Sequence, residues 1–174
     1  MALTNKKVGI LIENDYQELE FWYPYLRLQE EGIEPLIIGK EIKSYTSKLG
    51  YEAKADVTAE EASSMYFDAI IIPGGYAPDK MRIQSAMIRL VKNTYEQGRI
   101  IAAICHAGWV LISAKILNGK KVTGVKSIQD DLINAGAQFL DEQVVVDNNL
   151  ITSRTPVDLP FFCQQIIKKL NDKK

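Results

Sequence analysis

A single histidine, His106, and two cysteines, Cys105 and Cys163, are all that this 174-residue chain offers in imidazole and thiol chemistry. Two cysteines make no disulfide framework, and a structural zinc wants about four ligands. One histidine is too few for the usual catalytic zinc set, so no metal site is expected. Excess charge of one sign is missing too: 21 Lys and Arg stand against 22 Asp and Glu, a net charge of −1. With no basic surplus to condense on phosphates, nucleic acid is not an expected partner. The lysine clusters Lys6–Lys7, Lys120–Lys121 and the tail Lys168, Lys169, Lys173 and Lys174 read as solvated surface. No apolar run reaches the ~18 residues of a membrane span. The opening "MALTNKKVGILIEN" holds only a strand-length apolar run with no small-residue cleavage site beyond it. These absences point to a cytoplasmic protein with reduced thiols and no membrane partner. No linker, repeat or low-complexity segment divides the chain, so residues 1–174 are expected to form one domain, and a composition 47% hydrophobic suffices for its core.

What is present is an alternation of short apolar runs and helical patterns. "KKVGILIE" (Lys6–Glu13), "EPLIIGK", "FDAIIIPGG" (Phe67–Gly75) and "RIIAAIC" read as buried strands. "NDYQELEFWYPYLRLQEEG" reads as a helix with Leu19, Trp22, Tyr23 and Leu26 at helical spacing; Pro24 belongs near its first turn or kinks it. "DKMRIQSAMIRLVKNTYEQG", "HAGWVLISAKILNG" and "SIQDDLINAGA" supply further helices. "IKSYTSKLGYEAKADVT" suggests a small hairpin at one edge. "QFLDEQVVVDNNLITS" holds two or three strands, with a turn at Asp147–Asn149. The last helix opens with Thr155 as N-cap and Pro156 at its first position; Leu159, Phe162, Cys163, Ile166, Ile167 and Leu170 form its apolar stripe. Such alternation predicts an α/β fold whose mostly parallel sheet is covered on both faces. Sites in these sheets lie beyond the carboxyl ends of the strands, where "ENDYQELE", "PGGYAPD" and "ICHAG" fall.

Cys105 sits between a strand and a helix, a position that resembles a nucleophile elbow. A helix N-terminus stabilises a thiolate and can bring a cysteine pKa from about 8.5 into the range ~3.5–7.5. The competing reading is a buried, inert thiol. His106 is the only imidazole for general-base work, or else a surface or capping residue, and its N–H is free to donate to an oxyanion at a helix start. Glu18 and Glu20 can share a proton with the thiol; read from the residues alone, they are acidic first-turn residues of the common kind. The Gly74 and Gly75 N–H groups are positioned by the sequence to complete an oxyanion hole, although such dipeptides are mostly plain turns. Asp79 reads as a cap of the following helix, and Cys163 as core.

Taken together, "KKVGILIENDYQELEFWYPYLRLQEEG", "DAIIIPGGYAPDKMR", "IAAICHAGWVLISAKILNGKKVTG", "SIQDDLINAGA" and "VVVDNNLITSRTPVDLPFF" resemble the ThiJ/PfpI family of the class I glutamine amidotransferase-like superfamily, nearest its PfpI branch of intracellular cysteine proteases and stress proteins. The resemblance implies a flavodoxin-like three-layer sandwich with Cys105 on the elbow. It implies that Glu20, four residues before Pro24, is the family's helix glutamate, and that the Gly75 and His106 N–H groups form the oxyanion hole. It also implies that Asp79 reaches the Cys–His pair of a neighbouring subunit, in a dimer or hexamer. Ala107-Gly108-Trp109 stands where many relatives have Gly-Pro after the histidine, and Val125 where a tyrosine is frequent.

Three functions are consistent with that resemblance. One is cysteine-dependent protection from reactive aldehydes, of glyoxalase or deglycase type, through Cys105 with Glu20 and without a cofactor. A second is an intracellular cysteine peptidase using Cys105, His106 and a neighbour's Asp79. The third is a redox-sensing or chaperone-like stress protein without turnover.

Overall fold

A computed structural model describes residues 3–172; Lys173 and Lys174 of the expected solvated tail lie outside it. The chain runs β1 (Val8–Leu11), α1 (Glu18–Glu30), β2 (Leu36–Gly39), β3 (Ser44–Thr46), β4 (Glu52–Lys54), β5 (Val57–Thr58), α2 (Ala59–Ala62), β6 (Ala69–Ile72), α3 (Ala77–Met81), α4 (Ser85–Glu96) and β7 (Ile100–Ile104). It continues through α5 (Gly108–Ser113), β8 (Lys121–Val122), α6 (Gln129–Asn134), β9 (Gln138–Phe139), β10 (Val144–Asp147), β11 (Leu150–Ser153) and α7 (Leu159–Asp172). The main sheet has seven strands in the order β10-β11-β7-β6-β1-β2-β5. Every pairing is parallel except β10 with β11, whose hairpin turns at Asn148 as expected.

The central strands β1, β6, β7 and β11 are buried along their whole length, as runs covered on both faces must be. Helices α1 and α7 pack together on one face; α2, α4 and α5 cover the other. This is the flavodoxin-like three-layer sandwich. From β1 the chain builds outward to β2 and β5, then returns to β6 on the other side of β1. The reversal leaves a crevice at the carboxyl ends of β1, β6 and β7, where ligands of such sheets bind. Among the described residues, no helix is long and apolar enough to cross a membrane.

Several local expectations are corrected. Helix α1 begins at Glu18 rather than Asn14, because Asp15 takes a left-handed conformation (φ 66°) and Tyr16 turns inward to pair with Gly75. Its buried face is Glu20, Phe21, Pro24 and Leu28, whereas Leu19 and Leu26 are each 55% exposed. Pro24 lies in the helix interior, where its missing N–H leaves the Glu20 carbonyl without its usual partner. The single helix expected over 79–98 is two, α3 and α4, separated at Arg82–Gln84. The helix after Cys105 is short: a 3₁₀ turn over Cys105–Ala107 precedes the six residues of α5. The hairpin β3–β4 is a separate two-stranded sheet. Thr155 precedes a 3₁₀ turn, Pro156–Asp158, and its side chain makes no capping bond. The stripe of α7 is as read: Leu159, Phe162, Cys163, Ile166 and Leu170 are buried.

Candidate active site

Three loops meet at the crevice. β7 delivers Cys105 at its carboxyl end with φ at 62°, a left-handed conformation that a non-glycine residue holds only when its surroundings impose it. β6 delivers Gly74 and Gly75, and the turn after β1 leads into α1 with Glu20. The packing at Gly74 leaves no room for a side chain. A Cβ there would lie 2.5 Å from Glu20 Oε2 and 2.7 Å from Cys105 Cβ. Gly75, at φ 80°, backs onto residues 15–17, where a Cβ would come within 2.5 Å of the Asp15 carbonyl oxygen. Glycine at these two positions lets the carboxyl and the thiol approach across the chain.

Glu20 is fully buried. Its Oε2 accepts the Gly74 N–H at 2.7 Å. Oε1 is buried without a hydrogen-bond partner, and the Cys105 side chain lies close enough to act on the carboxyl's acidity. Burial raises its pKa from 4.5 to about 7, against the pull of the Gly74 N–H, the thiol and the Lys48 charge. Glu18 instead accepts the Leu49 N–H at the surface and is not buried.

The Cys105 thiol is half-buried and pushed up to about 12, first by burial and then by the Glu20 charge. This corrects the expectation of a thiolate favoured by a helix N-terminus. The following helix is short, and a neighbouring carboxylate opposes a second negative charge. The backbone N–H groups of His106 and Gly75 act in the other direction, favouring the thiolate. Glu20 and Cys105 therefore behave as one pair that admits a first negative charge near pH 7 and resists a second.

His106 Nδ1 lies 3.3 Å from Cys105 Sγ, and Nε2 lies 3.3 Å from Ser127 Oγ. The ring meets the Trp109 indole edge-on at 5.1 Å between centroids, and the indole N–H is held by Asp131 at 2.8 Å. Burial, then the Lys48 charge, lowers its pKa, so the imidazole is neutral at pH 7. Asp79, in the first turn of α3, is exposed, makes no side-chain hydrogen bond or ion pair among the described residues, and is not among the charges acting on Cys105 or His106. Val125 is half-buried against the core. Lys48 and Ser127 were missed by the sequence reading: Lys48 lies in a polar hairpin and Ser127 opens the segment "SIQDDLINAGA", and only tertiary folding brings them to the site. Among the described residues no three His, Cys, Asp or Glu side chains gather closely enough to hold a metal ion.

Residues 6–169 match the model of the DJ-1/PfpI family. The chain belongs to the DJ-1/PfpI family. It is 40% identical over 164 residues to a protein of Pyrococcus furiosus named Deglycase PfpI, across 94% of this chain and 99% of that protein. It is 37% identical over 169 residues to the Escherichia coli Protein/nucleic acid deglycase 2, across 95% and 98%. A crystal structure of a two-domain Anabaena variabilis protein, with DJ-1/ThiJ/PfpI-like and ferritin-like domains, superposes with a TM-score of 0.93 at 46% identity. That match covers 95% of this chain and 48% of the other.

Proposed function

We propose that the protein is a cysteine-dependent enzyme acting on reactive carbonyl compounds, α-oxo aldehydes such as methylglyoxal or the adducts they form. The observation that carries this reading is the fully buried Glu20 carboxyl beside the Cys105 side chain, with Oε2 held by the Gly74 N–H and Oε1 without a hydrogen-bond partner. A group so placed can take the thiol proton and give it to a substrate, and its pKa of about 7 suits both directions of transfer at neutral pH.

Cys105 Sγ adds to the aldehyde carbon as the thiol proton passes through Glu20 to the carbonyl oxygen, giving a hemithioacetal. The Gly75 and His106 N–H groups, which favour negative charge on the sulfur, would stabilise the charge that develops on that oxygen. Glu20 then removes the proton from the carbon bound to sulfur and returns it to the neighbouring carbon. The product is an α-hydroxy thioester. Water hydrolyses it, releasing the hydroxy acid and restoring the thiol. One carbon is oxidised while its neighbour is reduced, so substrate plus water balances the product without an external oxidant. The relatives' names as deglycases accord with the same first step on carbonyl adducts.

The test is turnover of methylglyoxal by Cys105→Ser and Glu20→Gln. Losses of roughly 10²–10⁴-fold are expected from removing the proton carrier alone. Wild-type rates in both variants would end the proposal.

A second reading, a cysteine peptidase, draws on the 3.3 Å contact between Sγ and His106 Nδ1. It needs an acid to orient the imidazole, and Asp79 of a neighbouring subunit is the candidate, since among the described residues Nε2 meets the Ser127 hydroxyl and no carboxylate. Peptide substrates should then acylate Cys105 only in the dimer or hexamer; peptidase activity in a monomer contradicts the shared site.

A further inference from the structure

Above the crevice stands one cation that the reaction just derived does not use. Lys48 occupies the tip of the β3–β4 hairpin, and that tip is clamped to the turn between β1 and α1. The Lys48 N–H donates to the Tyr16 carbonyl at 3.0 Å, the Asp15 N–H to the Thr46 carbonyl at 2.8 Å, and the Thr46 N–H to the Asn14 side chain at 3.0 Å. The Tyr16 hydroxyl donates to the Tyr51 carbonyl at 2.8 Å, and the Leu49 N–H to the Glu18 carboxylate. An exposed hairpin tip with this many bonds to the site's own turn holds the backbone of its lysine over that turn.

The Lys48 ammonium lies 4.6 Å from the centre of the Tyr76 ring, and Tyr76 directly follows Gly75. Its charge is felt by Glu20, His106 and Glu18. Yet among the described residues it forms no ion pair: the Glu18 carboxylate, on which its charge acts, is engaged with the Leu49 N–H. The cation therefore rests on the ring next to Gly75 without a paired carboxylate, and its charge reaches the Glu20 and His106 side chains.

We propose that Lys48 selects carbonyl substrates carrying a carboxylate a few bonds from the reacting carbon. One ammonium on an aromatic face, without a nest of further donors, suits a carboxylate monoanion better than a phosphate dianion. The proposal rests on Cys105 being the nucleophile for carbonyl compounds, and deepens that reading by naming the substrate's charge.

Two measurements separate the two claims. The first is the rate at which Cys105 is alkylated by iodoacetate relative to iodoacetamide, read by peptide mass spectrometry. In both reagents the sulfur displaces iodide, so the ratio reports only the probe's charge. Loss of one nearby cation should lower the iodoacetate-to-iodoacetamide ratio about five- to tenfold in Lys48→Gln. Lys48→Arg should keep it within about twofold, since the charge is retained. An unchanged ratio in Lys48→Gln overturns the proposal. The second is kcat/KM for dioxovalerate, an α-oxo aldehyde with a terminal carboxylate, against methylglyoxal. The wild type should prefer dioxovalerate, and Lys48→Gln should lose that preference; equal preference in both proteins contradicts the selection. If neither aldehyde is turned over while the alkylation ratio still depends on Lys48, the aldehyde reading fails and anion selection at the cleft stands.

Discussion

Cys105 and Cys163 have the same acidity and opposite surroundings. Both thiols are pushed up to about 12, and in both the larger cause is burial. Cys163 sits on the inner face of α7, with Pro24, Leu28, Ile71 and Ile166 around a crevice too small to admit water. The one opposing influence there is the charge of Arg27. Cys105 is held on a left-handed turn, with two backbone N–H groups that favour its thiolate and a buried carboxyl beside it whose charge opposes it. A raised pKa therefore does not separate a nucleophile from a core residue. The difference lies in what can receive the proton and what can stabilise the charge left behind.

Activity should break this comparison most sharply. Glu20→Gln removes the proton acceptor and leaves the volume, so turnover should fall by roughly 10²–10⁴-fold. Cys163→Ala should leave the rate within about twofold and instead lower stability by ~1–2 kcal/mol through lost packing. An equal loss of turnover in the two variants would erase the distinction.

Stability should sharpen it in the opposite direction. Folding raises the Glu20 pKa from 4.5 to about 7, so the native state holds its proton more tightly than the unfolded chain. Below pH 4.5 both states are protonated and nothing is lost. Stability then falls as pH rises to about 7, by roughly 3 kcal/mol, and stays reduced above it. Glu20→Gln lacks this titration, and at pH 8 it should melt above the wild type while being nearly inactive. Cys163→Ala should melt below the wild type at every pH. A Glu20→Gln variant less stable than the wild type at pH 8 would show that the buried carboxylate is not the strained group described.

Much of the fold was legible because β1, β6 and β7 are short apolar runs bounded by turn residues, and only strands buried on both faces have that form. Helix α1 was misread for a physical reason. It carries apolar residues at helical spacing on two faces, Leu19, Tyr23 and Leu26 on one, Phe21, Pro24 and Leu28 on the other. The buried face is the one that includes a glutamate, so periodicity favoured the wrong stripe. The break between α3 and α4 falls at Arg82–Gln84, with neither glycine nor proline to announce it. In the crevice, the position of Cys105 was readable from the strand ending beside it. Its acidity was not, because the Glu20 charge that opposes ionisation arrives from 85 positions earlier in the chain. Lys48 was invisible for the same reason: a lysine in a polar hairpin gains meaning only once Tyr16 and Glu18 fix the tip over the site.

The most direct test follows both thiols at once. Dilute iodoacetamide is added from pH 5 to 9, and the modification of each cysteine is resolved by peptide mass spectrometry. Cys105 should be labelled at a rate that rises through about pH 7 and then levels, while Cys163 stays unmodified in the native protein. Labelling of Cys163 at a similar rate, or a Cys105 rate that climbs steadily with no step near 7, would contradict the account of a thiol and a buried carboxyl sharing one proton.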